Sequence, residues 1–211
     1  MKTIIPQFKT ASQKAPLALC ILLAAISCSK NSNSYEPPPP PPPPPDSVTV
    51  SIFNSQIPAG VPGNDGFGAI ELGVKFQSAV AGVVTGISFY KNPGNLGTHT
   101  AQLYSAGGVL LDSGVFTNET DSGWQTSIFA NSFPISANTI YIAAYYSSLG
   151  NYFSTLHGFK TAIVNAPLTA LADSTTAGLN GLFKYTVAAA FPDSGYLSSN
   201  YWVDVIEKIQ K

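Results

Sequence analysis

Apolar and polar positions alternate along this chain in short runs, each closed by a cluster of Gly, Asn, Asp, Ser or Pro. The stretch from Gly82 to Phe129 shows the pattern most fully, with Ile87–Tyr90 ending at Lys-Asn-Pro-Gly-Asn and Thr100–Tyr104 ending at Ser-Ala-Gly-Gly. Aromatic and β-branched runs of this length, separated by turn residues, predict strands joined as hairpins. Val48–Phe53 alternates as an opening strand, and after the loop QIPAGVPGNDGFG come Ala69–Phe76 and Ala79–Lys91. Thr139–Tyr146 is the clearest later strand, with Ile140, Ile142 and Ala144 on one face and Tyr141, Ala143 and Tyr145 on the other. Leu182–Val187 and Asn200–Ile206 read as closing strands. Pro134 predicts a break over Asn131–Ala137, and Gly150–Ala172 reads as loop with room for a short helix. No segment of ten or more residues keeps a helical period. About ten short strands in residues 47–211 predict an all-β fold, a two-sheet antiparallel β-sandwich of jelly-roll type. Its last strand is expected to pair near the first, since domain termini commonly lie close together.

The first quarter of the chain follows different rules. Lys2, Lys9 and Lys14 precede the apolar run Ala15–Ile26, which is too short for a permanent membrane helix. Together they read as an export signal over residues 1–27. Ala25-Ile26-Ser27 directly before Cys28 resembles the lipobox of a bacterial lipoprotein, whose cysteine is lipidated and becomes the mature N-terminus. Ala25 stands where that pattern more usually has Leu. Removal of the signal takes Cys20 with it, so Cys28 is left without a partner for an intramolecular disulfide. Residues 28–46 then form a linker containing nine consecutive prolines, Pro37–Pro45. Such a run favours polyproline II and would hold the domain roughly 28 Å from the lipid surface. Ser29 after the cysteine fits sorting to the outer membrane, on its periplasmic or cell-surface side.

Composition narrows the function classes. Charged residues make up 10% of the chain, and all ten basic residues are lysines spread along it. That scatter argues against nucleic acid as a partner. Behind the signal, seven lysines face eleven acids, which gives no electrostatic reason to lie on an anionic membrane. Membrane association would therefore come through the N-terminal lipid. The two histidines, His99 and His157, lie in Gly-Thr-His-Thr and Leu-His-Gly without a metal or nucleophile motif beside them. The chain is read as not an enzyme. Three Asp-Ser-Gly triplets, at 112, 121 and 193, read as turns, since each offers too few carboxylates for a calcium loop.

One set of motifs is specific in combination. ELGVKF (71–76), GVVTGISFYK (82–91), GTHTAQLYS (97–105), GWQTSIF (123–129), PLTAL (167–171), FP (191–192) and NYWVDV (200–205) resemble the bacterial domain-of-unknown-function family numbered 4082. The resemblance covers nearly all of residues 47–206. It implies an extracellular β-sandwich module of the kind often attached to larger surface or carbohydrate-active proteins, and it carries no catalytic residues. This chain departs by having one copy alone behind a lipoprotein anchor.

Candidate sites follow from residue chemistry. Asp204 and Glu71 each sit inside an apolar strand, and a buried carboxylate needs a partner. Calcium is one such partner, as in several carbohydrate-binding jelly rolls; hydrogen bonds from Tyr, Trp or backbone groups are the other. Sugar binding would use aromatic faces with amides and hydroxyls nearby. Trp124 and the loop aromatics Tyr152 (Gly-Asn-Tyr-Phe) and Tyr196 (Asp-Ser-Gly-Tyr) are the candidates, with Asn95 and His99 as polar partners. Tyr104, Tyr145, Tyr146 and Tyr201 complete the wider set of aromatics. The expected function is a non-catalytic, lipid-anchored envelope module that binds carbohydrate. The alternatives are a protein-interaction or structural subunit of a surface assembly, and a cryptic glycoside hydrolase with facing carboxylates.

Overall fold

The computed structural model describes residues 46–63 and 66–211, so the signal segment, Cys28 and the proline run lie outside the described residues. Fourteen strands follow in order, with no helix among the described residues: β1 (Ser47–Val50), β2 (Val61–Gly63), β3 (Ile70–Ser78), β4 (Gly82–Lys91), β5 (His99–Ser105), β6 (Leu110–Val115) and β7 (Gly123–Ile135), then β8 (Tyr141–Ser147), β9 (Tyr152–Ser154), β10 (Ile163–Asn165), β11 (Leu168–Ala170), β12 (Leu182–Tyr185), β13 (Ser194–Gly195) and β14 (Val203–Gln210). All pair antiparallel. One main sheet runs β1-β14-β4-β7; the other runs β10-β11-β3-β8-β5-β6, with β12 also on β3 and β13 on β12, and β2 and β9 form a small third sheet. The expected two-sheet, all-β architecture holds. The last strand does return to the first, with Ser47 opposite Gln210.

Alternation places the core. Leu72, Val74 and Phe76 of β3 and Tyr141, Ala143 and Tyr145 of β8 point toward Ile87 and Phe89 of β4 and Val203 and Val205 of β14. The Phe89 and Tyr145 rings stack across the two sheets, 4.1 Å between centroids and 12° from parallel. The opposite face of β8, carrying Ile142 and Ala144, joins Tyr104, Leu182 and Phe191 in a smaller cluster. The sequence pattern thus located both faces of β8 correctly.

Two local expectations are corrected. β7 continues through Pro134 to Ile135, because β7 is an edge strand and proline's missing N–H faces no neighbour there. Residues 150–172 contain the short strands β9, β10 and β11 and no helix.

β3 has a split neighbour. Its C-terminal residues Phe76–Ser78 pair with β11, while Ile70–Gly73 pair with β12. The buried Asn180 bridges the gap between them. Its Oδ1 accepts from Lys75 N–H at 2.8 Å, and its Nδ2 donates to the Lys75 and Leu171 carbonyls at 3.0 and 2.6 Å. One side chain therefore stands in for a missing stretch of strand, satisfying main-chain groups that would otherwise be buried unpaired.

Candidate functional site

Three aromatic side chains are exposed among the described residues: Phe67, Tyr185 and Tyr196. All three gather at one place. Tyr185 and Tyr196 line a pocket of about 250 Å³ together with Ile70, Tyr152, Phe183 and Tyr201, and Phe67 packs on Tyr185 at 5.1 Å between ring centroids. The wall is one Ile, one Phe and four Tyr, with no charged side chain.

Each wall is fixed by its local chain. Phe183 and Tyr185 are two residues apart on β12 and so share a face, with their rings edge to face at 5.5 Å. Ile70 lies opposite Tyr185 on β3 and forms the floor. Tyr152 starts β9, opposite Gly63 of β2. A Cβ on Gly63 would run into the Tyr152 ring, so glycine lets that ring lie across β2. The Tyr152 carbonyl accepts from Asn92 Nδ2 at 2.6 Å, and its ring meets Tyr201 edge to face at 5.6 Å. Tyr201 follows Asn200, which exchanges two backbone hydrogen bonds with Thr155 at 2.9 Å. Tyr196 rides on a tight turn in which Leu197 and Ser198 are both left-handed (φ 47° and 50°). Backbone bonds hold that turn, from His157 N–H to Leu197 and from Phe159 N–H to Ser198, with the Ser198 hydroxyl donating to Asp173 at 2.8 Å.

Of the loop aromatics picked from sequence, Tyr152 and Tyr196 are brought together here, 44 positions apart in the chain. Trp124 is elsewhere. It stacks on Phe53 at 6.1 Å and donates from Nε1 to the Gln56 carbonyl at 2.9 Å. There it borders a separate groove with Asn54, Ser88, Thr126 and Asp204.

Asn95 and His99 are fully buried, so they are not exposed polar partners for a ligand. Gly-Thr-His-Thr has the composition of a turn, but His99 begins β5 and turns its ring against Phe89 in the core, 4.9 Å between centroids. His99 Nδ1 lies 2.9 Å from the Glu119 carboxylate, which also takes Lys91 Nζ at 2.7 Å, and Nε2 lies 2.9 Å from Asn95 Oδ1. Burial pulls the imidazole below its usual range, against the pull of Glu119. The Ser147 hydroxyl lies within reach of two acceptors, Asn95 Oδ1 at 2.9 Å and the Asn151 carbonyl at 3.1 Å, and its one proton is shared between them. This network braces the residue just before Tyr152. Asn95 and His99 act on the pocket as supports.

Glu71 and Asp204 lie in different sheets. Glu71 sits on the outer face of β3, fully buried, where Ala190 N–H donates to it at 3.4 Å and the Gln102 amide nitrogen, turned toward it, donates at 2.7 Å. Burial pushes its carboxyl up to about 9. Asp204 accepts from the backbone N–H groups of Ile52, Phe53 and Val205 at 2.6, 2.9 and 2.8 Å. Burial raises it to about 6, held back by those same bonds. N–H donors around a carboxylate satisfy it as a hydrogen-bond acceptor, whereas calcium is caged by oxygens. Among the described residues no three His, Cys, Asp or Glu side chains are grouped to hold a metal ion.

Phe183, Tyr185, Ile70 and Phe67 were not singled out from sequence. The usable signal was the Phe-Lys-Tyr alternation of 183–185, which puts two rings on one face. A family model described as "Domain of unknown function (DUF4082)" matches residues 55–203. No curated protein matches the chain.

Proposed function

The chain belongs to the DUF4082 family, and we propose that its domain is a non-catalytic binding module for neutral carbohydrate, presented on a lipid anchor at the bacterial outer membrane. The observation that carries this reading is the gathering of every exposed aromatic of the described residues around one uncharged, tyrosine-lined pocket. Aromatic faces stack on the C–H faces of sugar rings, and phenol hydroxyls offer donors and acceptors to sugar hydroxyls. Ring edges and hydroxyls without a nearby carboxylate or amine suit a neutral ligand, since a buried charge would go unpaired. The volume falls below the usual range for small-molecule sites of about 300–1,000 Å³, which fits a single ring better than a bulky group.

The test is native electrophoresis of the detergent-purified protein through gels containing neutral polysaccharides (galactomannan, xylan, dextran, mixed-linkage β-glucan) or charged ones (alginate, polygalacturonate). Retardation by at least one neutral polymer is expected, and Tyr196→Ala should weaken it about tenfold, the upper range for losing one aromatic contact. No retardation in any neutral gel, or full retardation of the variant, would overturn the glycan reading.

The anchor has its own test. Wild type should sediment with membranes and be released by detergent, while Cys28→Ser should move to the soluble fraction, because stable anchoring depends on acyl chains at that residue. Identical fractionation of the two proteins would remove the lipoprotein reading.

A protein-interaction role draws on a different surface. Val109, Leu110, Val115 and Ile128 are exposed on β6, β7 and the turn before β6, and Ser127 Oγ bonds the Val115 carbonyl where the two edge strands meet. Exposed apolar side chains along this seam between two strands suit the docking of another protein surface.

A further inference from the structure

We propose that Phe67 forms a second stacking platform beside the pocket, so that the site engages two consecutive neutral sugar rings, one within the pocket and the next across Phe67. This rests on the glycan reading of the pocket and names the length of ligand it takes.

Phe67 is 74% exposed, more than Tyr196 at 58% and Tyr185 at 39%, the two exposed aromatics that line the pocket proper. A phenylalanine side chain has no polar group to satisfy, and a ring this exposed forgoes most of the stabilisation that burial would give. Its placement is specified nonetheless. Gly66 and Gly68 flank it, both in the left-handed region at φ 79° and 86°, a conformation that side chains other than glycine rarely adopt. Neither glycine has another atom within 4 Å of where a Cβ would stand, so crowding does not require glycine there; backbone conformation does. Gly66 and Phe67 lie on a bend, with Phe67 held between the two glycines.

The ring rests against Tyr185 at 5.1 Å with 52° between planes, and Tyr185 in turn meets Phe183 inside the pocket. Phe67, Tyr185 and Phe183 thus form a continuous aromatic path running from the exposed rim to the interior. A pocket of about 250 Å³ accommodates one ring, while Phe67 lies outside its lining and offers its surface to the residue that follows. Neither Phe67 nor the pocket lining carries a charged group, so the same neutral chemistry extends along the path.

The experiment is a chain-length titration on the full detergent-purified protein, by calorimetry. Oligosaccharides of one to four residues are prepared from the neutral polysaccharide that retards the protein. For wild type, affinity should rise about tenfold from one residue to two and change little thereafter. Phe67→Ala should abolish that step, weakening binding of two residues or more by more than it weakens binding of one, and Phe67→Trp should preserve it. Tyr196→Ala serves as the contrast, weakening every length alike. Because Phe67 is exposed, its alanine variant should melt within about 2 °C of wild type, which separates loss of contact from loss of fold. A step that survives in Phe67→Ala, an equal weakening at all lengths, or a wild type with no step would each overturn the second platform while leaving the pocket. Failure of wild type to bind any length would take down both readings.

Discussion

Glu71→Gln is expected to raise the melting temperature at pH 8 by about 10 °C and to leave it nearly unchanged at pH 4. The reason is the cost of a charge in a place that provides little for it. Glu71 is fully buried, with Ala190 N–H at 3.4 Å and the Gln102 amide as its hydrogen-bond partners, and Lys184, opposite it on β12, pairs with Asp193 instead. Its carboxyl is held protonated up to about 9, whereas the same group in the unfolded chain ionises near 4.5. Between those values the folded state carries the extra proton, so stability is full below the lower pKa and declines as pH rises toward the upper one. A shift of this size corresponds to on the order of 5 kcal/mol across the window, the largest single contribution of its kind here. Asp204, raised to about 6, and Glu207, raised to about 7, act in the same direction over narrower ranges. Wild type should therefore melt progressively earlier from pH 5 to pH 9, against the usual acid instability of proteins whose carboxylates are paired. Glutamine keeps the shape and an acceptor oxygen while removing the ionisation, so its profile should be the flatter. Parallel profiles for the two proteins would show that Glu71 finds a partner for its charge.

That prediction bears on how far the sequence could be read. A carboxylate within Ala-Ile-Glu-Leu announces a buried charge needing a partner, and that much was legible. Which partner answers it was not, because Gln102 and Ala190 lie 31 and 119 positions away and only the fold brings them near. The same limit applies to the pocket. Tyr152 and Tyr196 stand between Gly, Asn and Ser, so their place in loops could be read locally, but nothing local says that the two loops meet. Phe183 and Tyr185 were hidden in a strand, where alternation puts two rings on one face without saying whether that face is core or rim. His99 shows the converse error. A turn-like composition suggested exposure, and a carboxylate from Glu119, 20 residues on, made a buried imidazole tolerable instead. Sheet class and the longer strands rest on local periodicity and were recovered, whereas the about ten strands expected became fourteen because pieces of two or three residues such as β2, β9, β10 and β13 are too short to show a period. Side-chain neighbourhoods rest on long-range pairing and were not recovered.

Asn180→Ala is expected to cost about 4 kcal/mol, and to damage the binding pocket at the same time. Asn180 is fully buried between β11 and β12, at the point where β3 has no strand to pair with. Alanine would strand the Lys75 N–H and the Leu171 carbonyl, main-chain groups that each cost roughly 1–3 kcal/mol when left unpaired, while the Lys75 carbonyl would keep only its bond from Leu171 N–H at 3.0 Å. Gly181 N–H would lose its contact with Oδ1 as well. Urea unfolding measures the loss, and a midpoint shift without a change in slope would assign it to native-state stability. Asn180→Asp divides the effect. Aspartate keeps acceptors for Lys75 and Gly181 N–H but loses the amide protons given to the two carbonyls, so it should not restore wild-type stability. The link to function is β12, which begins two residues later and carries Phe183 and Tyr185 into the pocket wall. With Asn180 gone, β12 loses its tie to β3 at Lys75 and is left with its own pairing over Ile70–Gly73. Polysaccharide retardation should therefore weaken in Asn180→Ala even under conditions where the protein remains folded. Full retardation by a folded but destabilised variant would show that β12 is positioned by its strand pairing alone, and that Asn180 serves stability without shaping the site.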